Sequence, residues 1–286
     1  MGEVNSPSFG DYIRLNLSII FISTSGVLGK SIQLFPEVTI FWRSIFAIPF
    51  LMLYLYMTKQ SPISFRQWNF PLFLAGVLMG IHWVTYFYAL QYSNVAIGML
   101  SLYTFPIITA FLEPFFFKLK FQKKHLFIGL LTLVGIFFLV PTTGLEETHG
   151  LAVALGILSA LCYALRNLIL KSSLQTANGS QLMLTQVMVI SFCFVPFLSQ
   201  DQIEASFPQW ESLLFLALFT TVVGHSLFLT SLRNFSVTTA SIISSKNPLY
   251  GILIAFLFLD EIPHMGIIIG GSLILLAVYF ENRSAK

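Results

Sequence analysis

Charge is scarce in this chain. Of its 286 residues, only 9% are Asp, Glu, Lys or Arg, where an ordinary soluble domain carries roughly a quarter. A fold so poor in charge cannot cover its surface with polar groups, so part of that surface must face lipid. Cysteine is nearly missing too. Cys162 and Cys193 both fall in apolar runs, which excludes a disulfide framework and a CxxC metal pair. No Walker A loop, HExxH or GxSxG sequence occurs, and connectors between apolar runs are too short for a soluble domain. ATP hydrolysis is therefore not expected, no cofactor is implied, and no His, Cys or carboxylate cluster has metal-ligand spacing. A net charge of +3 gives no case for a nucleic-acid partner.

What is present is apolar. Hydrophobic residues make up 56% of the chain, with 30 Phe, 10 Tyr and 4 Trp. About 20 apolar residues suffice to cross the hydrocarbon core of a bilayer, and runs of that length recur with little between them. Spans are expected at 12–30, 38–57, 70–90, 95–116, 125–141, 150–170, 181–198, 211–231, 237–258 and 264–280. The break between the third and fourth rests on Ser93 and Asn94 alone. The first run lacks a small-residue cleavage site, so it is expected to be retained as a span.

Basic residues concentrate on the cytoplasmic side of membrane proteins. With the N-terminus inside, the inner segments hold eleven of the 15 Lys and Arg and the outer segments only Lys30, while Arg43, Arg166 and Lys246 lie within spans. Acidic residues such as Glu37, Glu146, Glu147, Asp201, Asp260 and Glu261 fall mostly outside. The expectation is a multi-pass protein of the cell's inner (cytoplasmic) membrane, with both termini cytoplasmic.

The chain also matches itself at an offset of 142. Leu90 meets Leu232, Val95 meets Val237, Pro106 meets Pro248, Phe116 meets Phe258 and Gly129 meets Gly271. With small gaps, Lys30 pairs with Lys171 and His82 with His225. The proline and glycine matches weigh most, because each disturbs a helix in its own way. Two halves of five spans each must sit upside down relative to one another. Such inverted repeats mark many secondary transporters, whose site lies at mid-membrane between the halves. The expected fold is all-α and polytopic: ten transmembrane helices in two inverted five-helix repeats, residues 1–145 and 146–286.

An ionisable residue inside a span costs roughly 2.5–3.5 kcal/mol on insertion scales and needs a reason. Lys246 stands in Ser241-Ile-Ile-Ser-Ser-Lys-Asn-Pro248, where Pro248 cannot donate to the carbonyl of Ser244. Polar groups at that depth are tolerated where they line a cavity. Lys246 and Asn247 are thus candidates to bind the anionic end of a substrate; a structural ion pair or a snorkelling lysine is the other reading. Glu113, just before Pro114, could pair with Arg166 at similar depth or carry a coupling proton. Arg43 could hold a carboxylate or reach interfacial water. His82 and His225 suit helix–helix hydrogen bonds or a proton relay. Trp83, Tyr86 and Tyr103 bring polar groups to mid-span and could line a pocket for an organic solute. Pro106 and Pro248 are the expected hinges. Gly76-x-x-x-Gly80 and Gly266-x-x-x-Gly270 permit close helix packing, within the chain or across a homodimer seam.

Several segments together resemble the EamA family of the drug/metabolite transporter superfamily over nearly the whole chain. These are Phe41-Trp-Arg-Ser-Ile-Phe-Ala47, Ala89-Leu-Gln-Tyr-Ser-Asn-Val-Ala96, Ser101-Leu-Tyr-Thr-Phe-Pro106 with Glu113-Pro114, and Ala240 through Pro248, ending in Phe256-Leu-Phe-Leu-Asp-Glu261. One departure is that Lys118 and Leu119 stand where the first repeat would match Asp260 and Glu261. The resemblance implies a cavity open to one side at a time and a small-molecule substrate in a lipid bilayer. Amino-acid or metabolite export is the leading expectation, with nucleotide-sugar carriage beside it. An intramembrane enzyme using His82, Glu113 and His225 and a non-transporting scaffold are the readings from other classes. A reporter fused after Lys286 is expected to be active only in a form that works in the cytoplasm; activity only of an exported reporter would reverse the orientation.

Overall fold

The computed structural model describes residues 7–63, 68–93, 95–139, 149–259 and 265–284. Among these residues every regular element is a helix. Asn94, Glu146, Glu147, Asp260 and Glu261, on which some of the expectations rest, lie outside the described residues.

The chain opens with α1 (Phe9–Ser31), capped by Ser8, whose hydroxyl accepts the Asp11 amide at 3.3 Å while the Asp11 carboxylate takes the Ser8 amide at 2.9 Å. This reciprocal box satisfies two amides that the helix itself cannot. In α2 (Pro36–Met57) the first position is proline, whose missing N–H costs nothing there. Asn69 caps α3 (Phe70–Gln91). The expected fourth span is two pieces, α4 (Val95–Leu102) and α5 (Phe105–Phe117), separated by a turn at Tyr103–Thr104. Then come α6 (Lys123–Leu139), α7 (His149–Ser173) and α8 (Gly179–Phe194), the last boxed by Asn178 and Gln181. A short α9 (Gln200–Ser206) follows. The expected eighth span is α10 (Trp210–Phe215), a π-helical stretch over Leu216–His225, and α11 (Ser226–Ser231). The ninth is again two pieces, α12 (Val237–Ser244) and α13 (Asn247–Leu259), and α14 (Met265–Ser284) closes the chain.

Among the described residues, six stretches are long and apolar enough to cross a membrane: Phe9–Ser31, Pro36–Met57, Phe70–Gln91, Gly150–Ser173, Gly179–Phe197 and Gln200–Ser231. Shorter apolar helices, such as Phe105–Phe117, accompany them. Contacts between helix ends show how the chain runs. At the end that holds the start of α1, Asn234 donates to Asp11 at 2.7 Å and Gln181 donates to the Ser61 carbonyl at 2.6 Å. At the opposite end, Gln91 donates to the Leu34 carbonyl at 3.0 Å and the Gln33 amide to Gln209 at 2.7 Å. Successive segments therefore travel up and down one bundle, with α3 in the middle against α7 and α8.

The internal match at an offset of 142 has a physical counterpart. Pro106 and Pro248 sit in the first turns of α5 and α13. Around the first break, the Thr104 carbonyl accepts from Ile107 and Ile108 at 3.1 and 3.2 Å. Around the second, the Lys246 carbonyl accepts from Leu249 and Tyr250 at 3.0 and 3.2 Å. Both prolines thus start a new helix rather than bend a continuous one. Lysines repeat as well. The Lys30 ammonium donates to the carbonyls of Leu90 (3.0 Å), in the last turn of α3, and Ser93 (2.7 Å), just past it. The Lys171 ammonium donates to the carbonyls of Leu232 and Phe235, the latter at 2.7 Å, just past α11. A cation there satisfies orphan carbonyls and opposes the negative end of the helix dipole.

Gly76, Gly80 and Gly270 serve close packing within the chain. A Cβ on Gly76 would lie 2.7 Å from the Cβ of Val189, so α3 and α8 meet closely there. A Cβ on Gly135 would lie 2.9 Å from the Gly270 carbonyl, which brings α6 onto α14. Gly76→Ala is expected to overpack this contact and cost about 1–3 kcal/mol, read as a lowered thermal unfolding midpoint in detergent.

Candidate functional site

Both helix breaks face the same small cavity. Its volume is about 40 Å³, close to the room one or two waters occupy. It is walled by Ile19, Ile22 and Ser25 of α1, by His82, Trp83 and Tyr86 of α3, and by Leu102, Tyr103 and Phe105 at the first break. Tyr163 of α7, His225, Phe228, and Ser244 with Asn247 at the second break complete it. Six of these side chains are aromatic residues other than histidine. No acidic or basic side chain besides the two histidines lines it among the described residues.

The histidines are held differently. The ring of His82 is stacked 4.5 Å from that of Tyr163, and its Nδ1 lies 2.7 Å from the Ser159 hydroxyl. That hydroxyl in turn donates to the His82 carbonyl at 2.8 Å. This is a helix–helix bond between α3 and α7. His225 packs against Trp83 with ring centroids 5.4 Å apart, and its buried Nδ1 has no partner among the described residues.

Arg43 lies one layer behind the cavity wall. It is fully buried, and its guanidinium carbon sits 3.7 Å from the ring centre of Trp83. A cation over an indole face is attracted by the ring quadrupole. Nε donates to the Thr221 hydroxyl at 2.7 Å, within the π-helical stretch, but Nη1 and Nη2 have no partner among the described residues. Single π-helical turns recur at functional sites. Arg166 is equally buried and is held by neutral groups: Nε donates to Gln186 at 2.6 Å and Nη1 to Asn167 at 2.7 Å. The expected Glu113–Arg166 pair is not formed. Glu113 instead accepts the amides of Val237 and Thr238 at 2.7 and 2.9 Å, at the N-terminus of α12.

Lys246 stands at the second break but does not line the cavity. Its ammonium reaches Asn16 of α1, which points it back toward the end that carries the N-terminus. Its neighbour Asn247 does line the cavity and donates to the Ile19 carbonyl at 3.4 Å. So Tyr86, Tyr103, Trp83, His82, His225, Ser244 and Asn247 converge, while Lys246, Arg43, Arg166 and Glu113 surround them at a distance. Tyr163, Phe105 and Phe228 are cavity residues that sequence reasoning missed. Tyr163 carried a usable signal, as a mid-span tyrosine of the same kind as Tyr86 and Tyr103. A second, wider recess of about 630 Å³ lies at the end opposite the N-terminus. Lys30, Gln33, Gln91, Asp201 and Gln202 are on its rim.

The sequence model of the EamA-like transporter family matches residues 12–140 and again residues 150–283. The chain belongs to the EamA-like transporter family. The two matches divide this EamA-like transporter near the turn of its internal repeat. It is 24% identical to the pseudopaline exporter CntI of Pseudomonas aeruginosa (strain UCBPP-PA14), over 86% of each chain. An uncharacterized transporter of Haemophilus influenzae is 23% identical over 86% of this chain and 83% of that one. A crystal structure of a protein 12% identical in sequence shares the fold over 98% of each chain, with a TM-score of 0.78. The protein is thus a multi-pass membrane transporter.

A buried charge without a counter-charge destabilises a fold, and replacing it by an apolar side chain of similar size is often neutral or stabilising. Arg43→Met is therefore expected to leave the unfolding midpoint unchanged or raised while impairing transport. A large drop in stability would assign Arg43 a structural task instead.

Proposed function

We propose that this EamA-like chain is a secondary transporter, an exporter that carries a small carboxylate-bearing organic metabolite of amino-acid type by alternating access through the central cavity. In this reading the segments that travel up and down the bundle are ten spans in two inverted halves, residues 1–145 and 146–286. Both termini face the cytoplasm and the protein sits in the inner membrane.

The observation that carries the reading is the charge pattern around the cavity. Two fully buried guanidinium groups, Arg43 and Arg166, flank it, and neither meets a carboxylate within ion-pair distance among the described residues. The cavity wall itself contributes no acid. Burying a cation unpaired costs several kcal/mol unless an anion completes it. A solute carboxylate would do so, and the aromatic rings would hold its organic body. Lys246 adds a third cation at the second break, half-buried beside α1. An incoming carboxylate could draw it from Asn16.

The two helix breaks supply the moving parts. Each leaves a half-helix on either side of the cavity, so one half can tilt without breaking the hydrogen bonds of the other. His82 and His225 share the cavity but Glu113 does not. The three groups an intramembrane enzyme would need therefore do not converge.

The test is solute flux in reconstituted vesicles, after a thermal-shift screen against amino acids, nucleotide sugars and polyamines has picked a ligand. Lys246→Ala and Tyr103→Ala are each expected to lower flux at least about tenfold, a loss of roughly 1.4 kcal/mol of binding, with insertion and expression unchanged. Stabilisation by polyamines alone, or normal flux in both variants, would sink this assignment.

A further inference from the structure

A groove of about 360 Å³ opens on the flank of the bundle, where the latter half of α6 passes the first half of α7. Val134 and Phe137 form one bank, and Val153 and Ile157 the other. All four are exposed, Phe137 by 66%. They lie within apolar helices, so this exposed surface faces the hydrocarbon of the bilayer. Ser101 and Thr104, on either side of the first helix break, line the groove between the banks. Their hydroxyls are turned into their own backbone. Ser101 donates to the Gly98 carbonyl at 3.1 Å and Thr104 to the Ser101 carbonyl at 2.8 Å. The groove is therefore walled by hydrocarbon nearly throughout. The neighbours of these two residues look the other way, since Leu102, Tyr103 and Phe105 wall the central cavity. A turn one backbone thick separates groove from cavity.

The equivalent place in the second half is filled by the protein itself. The offset of 142 matches Thr104 to Lys246, and the pairing of Lys30 with Lys171 matches Ile157 to Asn16. Lys246 and Asn16 bond each other, which ties the second break to α1. Thr104 spends its hydroxyl on its own turn, and Ile157 has no polar group. One pair thus leaves a groove where the other makes a bond.

The surroundings decide what fills that groove. Water needs two or more polar partners and leaves apolar cavities dry. An empty groove forfeits the dispersion contacts of the atoms that line it. The molecule next to it in the membrane is a lipid, and its volume holds about a dozen units of the ~30 Å³ that one water takes, a size close to that of a methylene. We propose that the groove between α6 and α7 holds one acyl chain of a bilayer lipid, which backs the first helix break as the Lys246–Asn16 bond backs the second. The attraction is close packing and not transfer from water, because the chain exchanges one hydrocarbon surrounding for another. Chain shape therefore governs occupancy more than the headgroup does. Occupancy needs only the bilayer, whichever solute the cavity carries.

Nanodiscs of a phosphatidylcholine with a photoreactive diazirine at mid-chain test this, with the cross-links mapped by peptide mass spectrometry. The wild type should be labelled at Ser101 and Thr104 as well as at Phe137, and Lys246 should stay unlabelled. Ser101 is only 4% exposed, so a lipid that skirts the bundle does not reach it. Phe192 of α8, 77% exposed and no part of the groove, reports ordinary lipid contact. Label at Phe137 and Phe192 with none at 101–104 overturns the proposal, and so does equal label at Thr104 and Lys246. Ile157→Trp, which puts a larger side chain into the groove, should lose the label at 101–104 and keep that at Phe137. Label that persists at 101–104 in this variant overturns the proposal equally. Delipidated wild type should regain thermal stability when phosphatidylcholine is added back, and Ile157→Trp should gain less. Equal gains in the two would show that the chain does not support the break. None of these readings involves flux, so they stand or fall apart from the transport reading.

Discussion

Backbone amides and carbonyls that reach neither water nor one another are costly in hydrocarbon, and this bundle is organised around that cost. Every place where a helix stops must be closed by some other part of the chain. Serine and asparagine close the N-termini of α1, α3, α8 and α12. Lysines from α1 and α7 close the carbonyl ends beyond α3 and α11. A glutamate from α5 closes the start of α12 from across the bundle. Because the closing group belongs to a different helix in three of these cases, capping also dictates which helices are neighbours.

The same constraint explains why the breaks in α4–α5 and α12–α13 are sites and not defects. A helix interrupted inside the bundle exposes polar backbone, and that is tolerable only where it is buried in protein or faces a polar space. Tyr103 and Asn247 stand at the two interruptions, and both border the cavity. The irregular backbone and the aromatic, hydroxyl and amide side chains around it are therefore one arrangement. The prolines make it durable, since a proline in the first turn of α5 or α13 prevents the two pieces from fusing into a single helix.

Much of this is legible in the amino-acid sequence, because it depends on composition and periodic punctuation. Apolar run lengths locate the helices to within a few residues, and Pro106 and Pro248 mark the two breaks. The pairing of Lys30 with Lys171 in the internal match anticipates two equivalent caps. Side-chain direction is what the sequence does not carry. These helices are apolar nearly all round, so no hydrophobic face says where Arg166 or Lys246 points. Arg166 and Glu113 lie at similar depth along the chain, yet one meets Gln186 and Asn167 and the other meets α12. Ser159 and Thr221, which hold His82 and Arg43, cannot be told by sequence from hydroxyls that bond their own helix, as Ser44 does. Glu281 follows the last apolar run, and only the structure shows that α14 continues past it with its side chain buried.

Lys30 has a consequence for how the bundle is made. It lies in the last turn of α1, and its ammonium bonds carbonyls at the end of α3 that lie sixty or more residues later in the chain. When α1 enters the bilayer those carbonyls have not yet been synthesised, and Lys30 is an uncompensated cation. It weighs on the orientation of the first helix during synthesis, and once α3 arrives its N–H donors are taken up by those carbonyls. One residue thus counts as a topological signal while the chain is being made and as a structural plug in the finished protein.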